Sequence, residues 1–299
     1  MIVFVSTAQH AYTHKVLIDP EMPARVGLST YAELMPAKAV ARATYVLTDL
    51  DRLSLAHLQV AARFYRRLRR HGLTVLNDPA RLASRYGLLR RLYLAGVNAF
   101  NAYRVEECVT PQRWPVFLRT EGSHLGPATD LIHNATDLRL KIDESIANGL
   151  PVSSLLVVEF AAQPIRPGLY RKFSSFRMGR AEFAHVCVDD DHWVAKEGKR
   201  GITPAELTEE EHRIVRDNPY GTSVATAFDL AGIDYGRADF GLVDGRVQIY
   251  EINSNPEIGF ANDHPSPVRQ ETYRIFRQRY LDALSAIDTP DTSELVTVA

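Results

Sequence analysis

Cysteine is nearly missing from this chain. There are two in 299 residues, Cys108 and Cys187, and their spacing builds no zinc site, redox pair or disulfide framework. That excludes a small cysteine-stapled secreted scaffold and agrees with a reducing, cytoplasmic setting. An excess of either charge is also lacking. Lys and Arg number 35 against 36 Asp and Glu, a net charge of −1, so no global field draws the chain to nucleic acid or to an anionic membrane. No apolar run approaches the ~20 residues that span a bilayer. The opening Met1-Ile2-Val3-Phe4-Val5 has no basic leader and is too short for a signal sequence, so it reads as a first strand. Repeats and low-complexity tracts are absent. With 45% hydrophobic and 24% charged residues, the composition fills a sizeable core, and the length allows two or three packed units.

The apolar pattern alternates strands with helices. Tyr45-Val46-Leu47-Thr48 reads as a strand. Ser54 then caps a helix that carries Leu55, Leu58, Ala62, Tyr65 and Leu68 along or near one face and ends before His71-Gly72. Leu73–Leu76 is the next strand, which makes a small doubly wound N-terminal unit. Arg63, Arg66, Arg67, Arg69 and Arg70 on that helix read as a solvated basic face, given the balanced charge of the whole. Ser84 opens a second helix through Leu94, and a third runs from about Thr136 to Asn148. Later helices are expected from Thr208, over 221–231, and from Pro267 through Ala286. Residues 288–299 are small and polar and are expected to fray.

The densest chemistry lies in Arg237-Ala238-Asp239-Phe240-Gly241 and Tyr250-Glu251-Ile252-Asn253-Ser254-Asn255-Pro256. Residues 237–242 and 247–252 read as two strands of a hairpin turning at Asp244-Gly245. Side chains alternate faces along a strand. A three-residue loop 244–246, or a bulge, sets Asp239 opposite Glu251 and Arg237 opposite Asn253. All four then share a face, with Ala238, Phe240, Leu242, Tyr250 and Ile252 on the other. A plain two-residue loop slips the register by one and separates the two acids. Two carboxylates and an amide are hard oxygen donors that suit magnesium and leave coordination positions for phosphate oxygens. The competing reading is a surface hairpin with a polar face.

The segment from Gly232 to Gly259 resembles the metal-binding end of the ATP-grasp superfamily, which includes D-alanine–D-alanine ligase, glutathione synthetase and the ribosomal-protein glutamate ligases. The resemblance runs in order over most of the chain. It implies a fold of mixed α/β and α+β character: a small doubly wound N-terminal domain (1–83), a central lid (84–160) and a larger C-terminal antiparallel sheet domain (161–287), followed by a flexible tail (288–299). It implies that Asp239, Glu251 and Asn253 hold Mg2+, as two ions with Glu251 bridging, or Mn2+ in their place. Arg237 would stabilise the charged intermediate.

Other blocks fall where such a fold needs them. Leu155–Phe160 resembles the strand leading to the adenine hinge. Glu159 would accept from the adenine amino group, and the backbone of Phe160 and Ala161 would meet the ring edge. Lys172, within Tyr170–Met178, and Lys196, after His192-Trp193-Val194-Ala195, are phosphate candidates, with solvated lysines as the alternative. Trp114–Gly126 resembles the phosphate-covering loop, where Gly122 and Ser123 let backbone N–H groups approach phosphate. Here the chain departs from the family pattern, with Arg119 and Arg85 where lysines are usual. Arginine still neutralises phosphate and can fork across two oxygens. His124 contacts a substrate carboxylate or caps its loop. His10, Tyr12 and His14, and beyond the hairpin Asn255, Glu257 and His264, are substrate or loop residues.

The activity implied is ATP-dependent ligation of a carboxylate to an amine or other nucleophile through an acyl phosphate, forming ADP and phosphate. A kinase acting on a small molecule and a nucleotide-binding regulatory protein with little turnover are the alternatives. The partners implied are a small-molecule or peptide carboxylate and a nucleophilic acceptor, with a homodimer allowed and neither nucleic acid nor membrane.

Overall fold

The N-terminal strands are short and apolar and are followed by helices or crossover segments, so they pair in parallel. A computed structural model describes residues 1–107, 110–123, 125–196, 198–260, 264–290 and 292–298. In it β1 (Ile2–Ser6), β2 (Val26–Thr30), β4 (Thr44–Leu47) and β5 (Val75–Leu76) form a parallel sheet in the order β2-β1-β4-β5. A single helical turn, α1 (Tyr31–Leu34), starts at a Thr30–Glu33 capping box. The short β3 (Ala39–Ala41) stands apart from this sheet. Helix α2 (Leu55–Arg70) starts where expected, because the Ser54 side chain accepts from the His57 N–H. Its buried face is rotated from the expected one. Ala61, Phe64 and Leu68 are buried, whereas Leu55 is exposed.

The lid is a three-stranded antiparallel sheet, β6-β8-β7, of β6 (Ala102–Arg104), β7 (Val116–Thr120) and β8 (Leu155–Glu159). Helix α3 (Arg85–Leu94) precedes it, with Ser84 accepting from Gly87 N–H, and α4 (Ala135–Ala147) lies between β7 and β8. Alternation divides the lid sheet between two clusters. Val116, Leu118 and Val157 pack with Leu138 of α4, while Phe117, Leu156 and Val158 join Leu89 and Phe100 on the opposite face.

The larger sheet is antiparallel, in the order β10-β9-β11-β12, with β9 (Tyr170–Met178), β10 (Ala181–Asp190), β11 (Tyr235–Val243) and β12 (Arg246–Asn253). Helices α5 (Ala205–Asp217), α6 (Gly221–Ala231) and α7 (Pro267–Ala286) contribute to the main core with Phe173, Phe176, Phe240 and Ile249. Helix α5 begins after Pro204, three residues before the expected Thr208. Gly232 closes α6 in the left-handed region at φ 71°, and a Cβ there would lie 2.8 Å from the carbonyl oxygen of Arg81.

The hairpin β11–β12 resolves its register with a bulge. Val243 pairs with Arg246 across a two-residue Asp244-Gly245 turn, which alone would set Asp239 opposite Tyr250. The pairing shifts between Asp239 and Phe240, so Asp239 faces Glu251 and Arg237 faces Asn253. Tyr250 is the extra residue. Of the two expected routes, a three-residue loop or a bulge, the chain takes the bulge, and the expected facing of Tyr250 is corrected. Val247 and Ile249 join Ala238 and Phe240 in the core, while Tyr250 packs beside the lid cluster.

Residues 288–299 were expected to fray, yet β13 (Leu295–Thr297) pairs antiparallel with β3 and Val298 is fully buried. The physical reason is an apolar alternation, Leu295-Val296-Thr297-Val298, that finds an open strand edge. Among the described residues, no helix is long and apolar enough to cross a membrane.

Candidate functional site

A cleft of about 400 Å³ opens between the lid and the larger sheet. β11 and β12 present Arg237, Asp239, Glu251 and Asn253 to it, β9 presents Lys172, and β7 presents Arg119. Strand alternation places the β9, β11 and β12 side chains on the wall of the larger sheet, and Arg119 meets them from the lid. The bulge at Tyr250 restores Glu251 to that wall after a turn that would have sent it to the other face.

The polar end of the cleft is a knot of paired charges. Arg237 donates to Asp239 from Nε at 2.8 Å and from Nη2 at 3.3 Å, and Lys172 Nζ lies 3.4 Å from the same carboxylate. Arg85 Nη2 donates to Glu251 Oε2 at 2.8 Å, and Arg119 Nη2 reaches it at 3.5 Å. Burial alone would raise the Glu251 carboxyl, but the Arg85 and Arg119 guanidiniums outweigh it and hold the group down at about 2. Burial, then the neighbouring Arg85 charge, bring Arg119 down to about 10. Cations exceed carboxylates here, which favours a multiply charged anion.

Asp239, Glu251 and Asn253 are oxygen donors of the kind magnesium takes, and they share a face. The donor set therefore fits the ion in kind, although side-chain cations engage both carboxylates in this state. Among the described residues, no three His, Cys, Asp or Glu side chains gather as a metal-binding group, so the set depends on the Asn253 amide.

The other end of the cleft is apolar. Phe117, Val158, Phe160, Trp193 and Tyr250 line it. The Trp193 ring lies 5.0 Å from Phe117 and 5.5 Å, edge-on, from Phe160. A flat heteroaromatic ring suits such a slot. Trp193 and Tyr250 were missed as site residues. The usable signal for Trp193 was a large aromatic in a turn segment beside a candidate lysine. Tyr250 Oη donates to the Ala161 carbonyl at 3.0 Å and so ties the segment after β8 to the hairpin.

Several expected roles do not fit what the side chains do. Glu159 is buried, and its carboxylate accepts from Asn101 N–H, Tyr103 Oη, Gln112 N–H and Arg113 N–H at 2.8–3.0 Å. It anchors the lid internally and also borders the cleft, so four protein donors already engage the carboxylate expected to meet an adenine amino group. The Phe160 N–H donates to the Pro115 carbonyl, and Phe160 and Ala161 both line the cleft. Arg85 does not line the cleft, because its Nη1 donates to the carbonyls of Thr120, Glu121 and Ser123 and its Nη2 to Glu251. It stitches the loop after β7 to the hairpin, where a phosphate role was expected. Gly122 and Ser123 lie outside the cleft lining, and Gly126 and Pro127 stand there in their place. Lys196 lines the cleft with an exposed side chain, and its carbonyl accepts from Lys172 Nζ at 3.3 Å. His124 and Cys108 lie outside the described residues. Cys187 is buried with a free thiol.

The N-terminal unit touches the hairpin's continuation. Ser254 Oγ accepts from Leu50 N–H and donates to Asp51, and Asn255 Nδ2 donates to Thr13 Oγ1 at 3.2 Å. Beside them Asp49, fully buried and at φ 59°, takes Thr7 and His10 as partners. His14 is a core residue, stacked on Phe4 and bonded to Tyr235 Oη, and burial lowers it to about 3. Tyr12 is exposed. Asn255 and Glu257 line the cleft, as the sequence allowed.

No known family model matches the chain, and no curated protein matches it. Solved structures do match. A D-alanine–D-alanine ligase from Bacillus anthracis, complexed with ATP, superposes with a TM-score of 0.51 at 10% identity, covering 96% of this chain and 98% of that one. The VanG D-Ala:D-Ser ligase from Enterococcus faecalis gives 0.52 at 12% identity, again over 96% of this chain and 98% of its own. At such identities the likeness is one of fold. A parallel N-terminal sheet, a lid and an antiparallel sheet closing on one cleft, matched nearly end to end, give this chain the ATP-grasp fold.

Proposed function

We propose that this chain is an ATP-dependent ligase that joins a carboxylate to an amine or other nucleophile through an acyl phosphate, with release of ADP and phosphate. One observation carries the reading. A single cleft combines an aromatic slot with a polar end where cations outnumber two facing carboxylates. The slot suits the base of a nucleotide and the cations suit its phosphates. The matched ligases supply the precedent of fold.

In this reading Phe117, Phe160 and Trp193 hold the base, and Arg119, Lys172 and Lys196 neutralise the phosphates. Asp239, Glu251 and Asn253 would hold magnesium, whose role when bound is to offset phosphate charge. A carboxylate substrate is already ionised and needs no base to attack the γ-phosphorus. Arg237, fixed by Asp239, would stabilise charge that develops on the acyl carbon's oxygen. The lid and Trp193 exclude water, which protects an acyl phosphate from hydrolysis. The acceptor enters between the hairpin's continuation and the N-terminal unit, near Asn255 and Thr13.

The test has two stages. Calorimetric titration with ATP and Mg2+ should show one site. ADP release should then need both an acid and a nucleophile from a broad panel. Steady ADP release with a hydroxyl compound alone would instead make the chain a kinase. A second reading, a nucleotide-binding protein with little turnover, draws on the Arg85–Glu251–Arg119 contact. Tight ATP binding with no product from any acid–nucleophile pair would favour it.

A further inference from the structure

Glu251 is shared by two guanidiniums whose situations differ. Arg85 is held at four points, by three backbone carbonyls and by Glu251 at 2.8 Å. Arg119 has the longer contact of 3.5 Å and lines the cleft where Arg85 does not, while the Nε of each is buried without a partner. One arginine is therefore fixed by four hydrogen bonds, and the other sits in the cleft wall on one long contact.

The surrounding charges give this asymmetry a direction. Arg85, Arg119, Lys172 and Arg237 surround Asp239 and Glu251, with Lys196 and Glu257 farther along the wall. Cations remain in excess even with Glu257 counted. Adding a dication to this cluster is opposed by repulsion in a poorly solvated place, whereas adding a polyphosphate is favoured.

We infer that Arg119 gates Glu251, so that a divalent cation is admitted only once nucleotide phosphates have drawn Arg119 away from that carboxylate. Binding is then ordered, with nucleotide before or together with metal. The inference rests on the nucleotide reading of the cleft. It adds that the arginine standing where the family usually has lysine couples the two ligands, while Arg85 keeps the loop after β7 in place throughout. Reciprocity follows, because metal must tighten nucleotide binding by the same factor that nucleotide tightens metal binding.

The experiment uses the full chain and Mn2+, with water proton relaxation to separate protein-bound Mn2+ from Mn2+ on free nucleotide. Calorimetry with a non-hydrolysable ATP analogue in EDTA should show nucleotide binding without metal. Mn2+ alone should bind the wild type weakly, and the analogue, or inorganic triphosphate, should raise its affinity by roughly tenfold or more. Arg119→Met should bind Mn2+ without nucleotide by a similar factor more tightly than the wild type, and Arg119→Lys should stay close to the wild type. Equal Mn2+ affinity of the wild type with and without analogue overturns the gate and leaves the nucleotide reading intact. Absence of nucleotide binding under every condition overturns both. Because bound phosphates also ligate Mn2+ themselves, the metal-alone comparison with the variant decides for Arg119, and Arg119→Gln repeats it if Arg119→Met fails to fold; Mn2+ affinity without nucleotide equal to the wild type in a folded variant overturns the gate.

Discussion

Gly241 has no side chain because Tyr250 occupies the space. A Cβ at 241 would lie 2.1 Å from Tyr250 Oη and 2.8 Å from its Cζ. Gly241→Ala must therefore push the tyrosine off the Ala161 carbonyl. It should cost about 1–3 kcal/mol of stability and several-fold in nucleotide affinity, read by thermal unfolding and calorimetry. Glu251→Gln is a second case. It removes a carboxylate expected to hold metal, so turnover should fall by orders of magnitude. Sequence alone predicts little loss of fold, but the structure adds a cost, because Arg85 and Arg119 lose their counter-charge in a buried place. The variant should melt lower than the wild type, and triphosphate should restore part of the difference. Unchanged melting would show that the two guanidiniums are solvated in the free protein. Legibility at this scale followed locality. Arg237, Asp239, Glu251 and Asn253 could be named from one short hairpin, although their sharing a face rested on a longer loop or a bulge. The fate of Glu159 could not, because its donors come from Asn101, Tyr103, Gln112 and Arg113, far back along the chain.

Elements were legible where their signals were short-range. Ser54 and Ser84 cap helices as side-chain acceptors where the sequence placed the helix starts, and Ser266 does the same just before the expected start at Pro267. The hairpin's existence was equally clear, but its register was left between a longer loop and a bulge. Residue types alone do not decide that choice, and the packing of Tyr250 against the lid favours the bulge. Strand β9 hides a further feature. Arg171 and Asp189 pair across β9 and β10 with two hydrogen bonds of 2.6 and 2.7 Å, both buried. Arg171 also donates to the Leu207 carbonyl, and Thr203 Oγ1 donates to Asp189. The pair ties the sheet to the start of α5. Asp189→Ala should cost roughly 3–5 kcal/mol, because it strands a buried guanidinium. Urea unfolding measures this, and a loss under 1 kcal/mol would mean that water reaches Arg171 once the acid is gone.

At the scale of the whole molecule, the order of elements announced the fold. Strand–helix alternation gives the parallel N-terminal sheet, and the acidic hairpin near the end gives the antiparallel one. How the chain closes on itself was not legible, because β13 pairs with β3 some 250 residues earlier. The two ends meet at the N-terminal unit. The Met1 ammonium contacts Asp288 and the Thr289 carbonyl, Arg42 forks onto Glu294, and Val298 N–H donates to the Lys38 carbonyl at 2.8 Å. Val298 is fully buried in the cluster that holds Val40 and Tyr45. Burial of one valine contributes about 2 kcal/mol, so Val298→Ala should lower the melting temperature by a few degrees. Removing residues 293–299 should lower it further, since the strand pairing goes as well. None of the described residues of this tail lines the cleft, so nucleotide affinity measured below the melting range should stay at the wild-type value. A truncated chain that melts like the full one would show that β13 rests on the sheet edge without stabilising it. One that melts lower and also loses nucleotide would show that the N-terminal unit transmits its order to the cleft through Ser254 and Asn255.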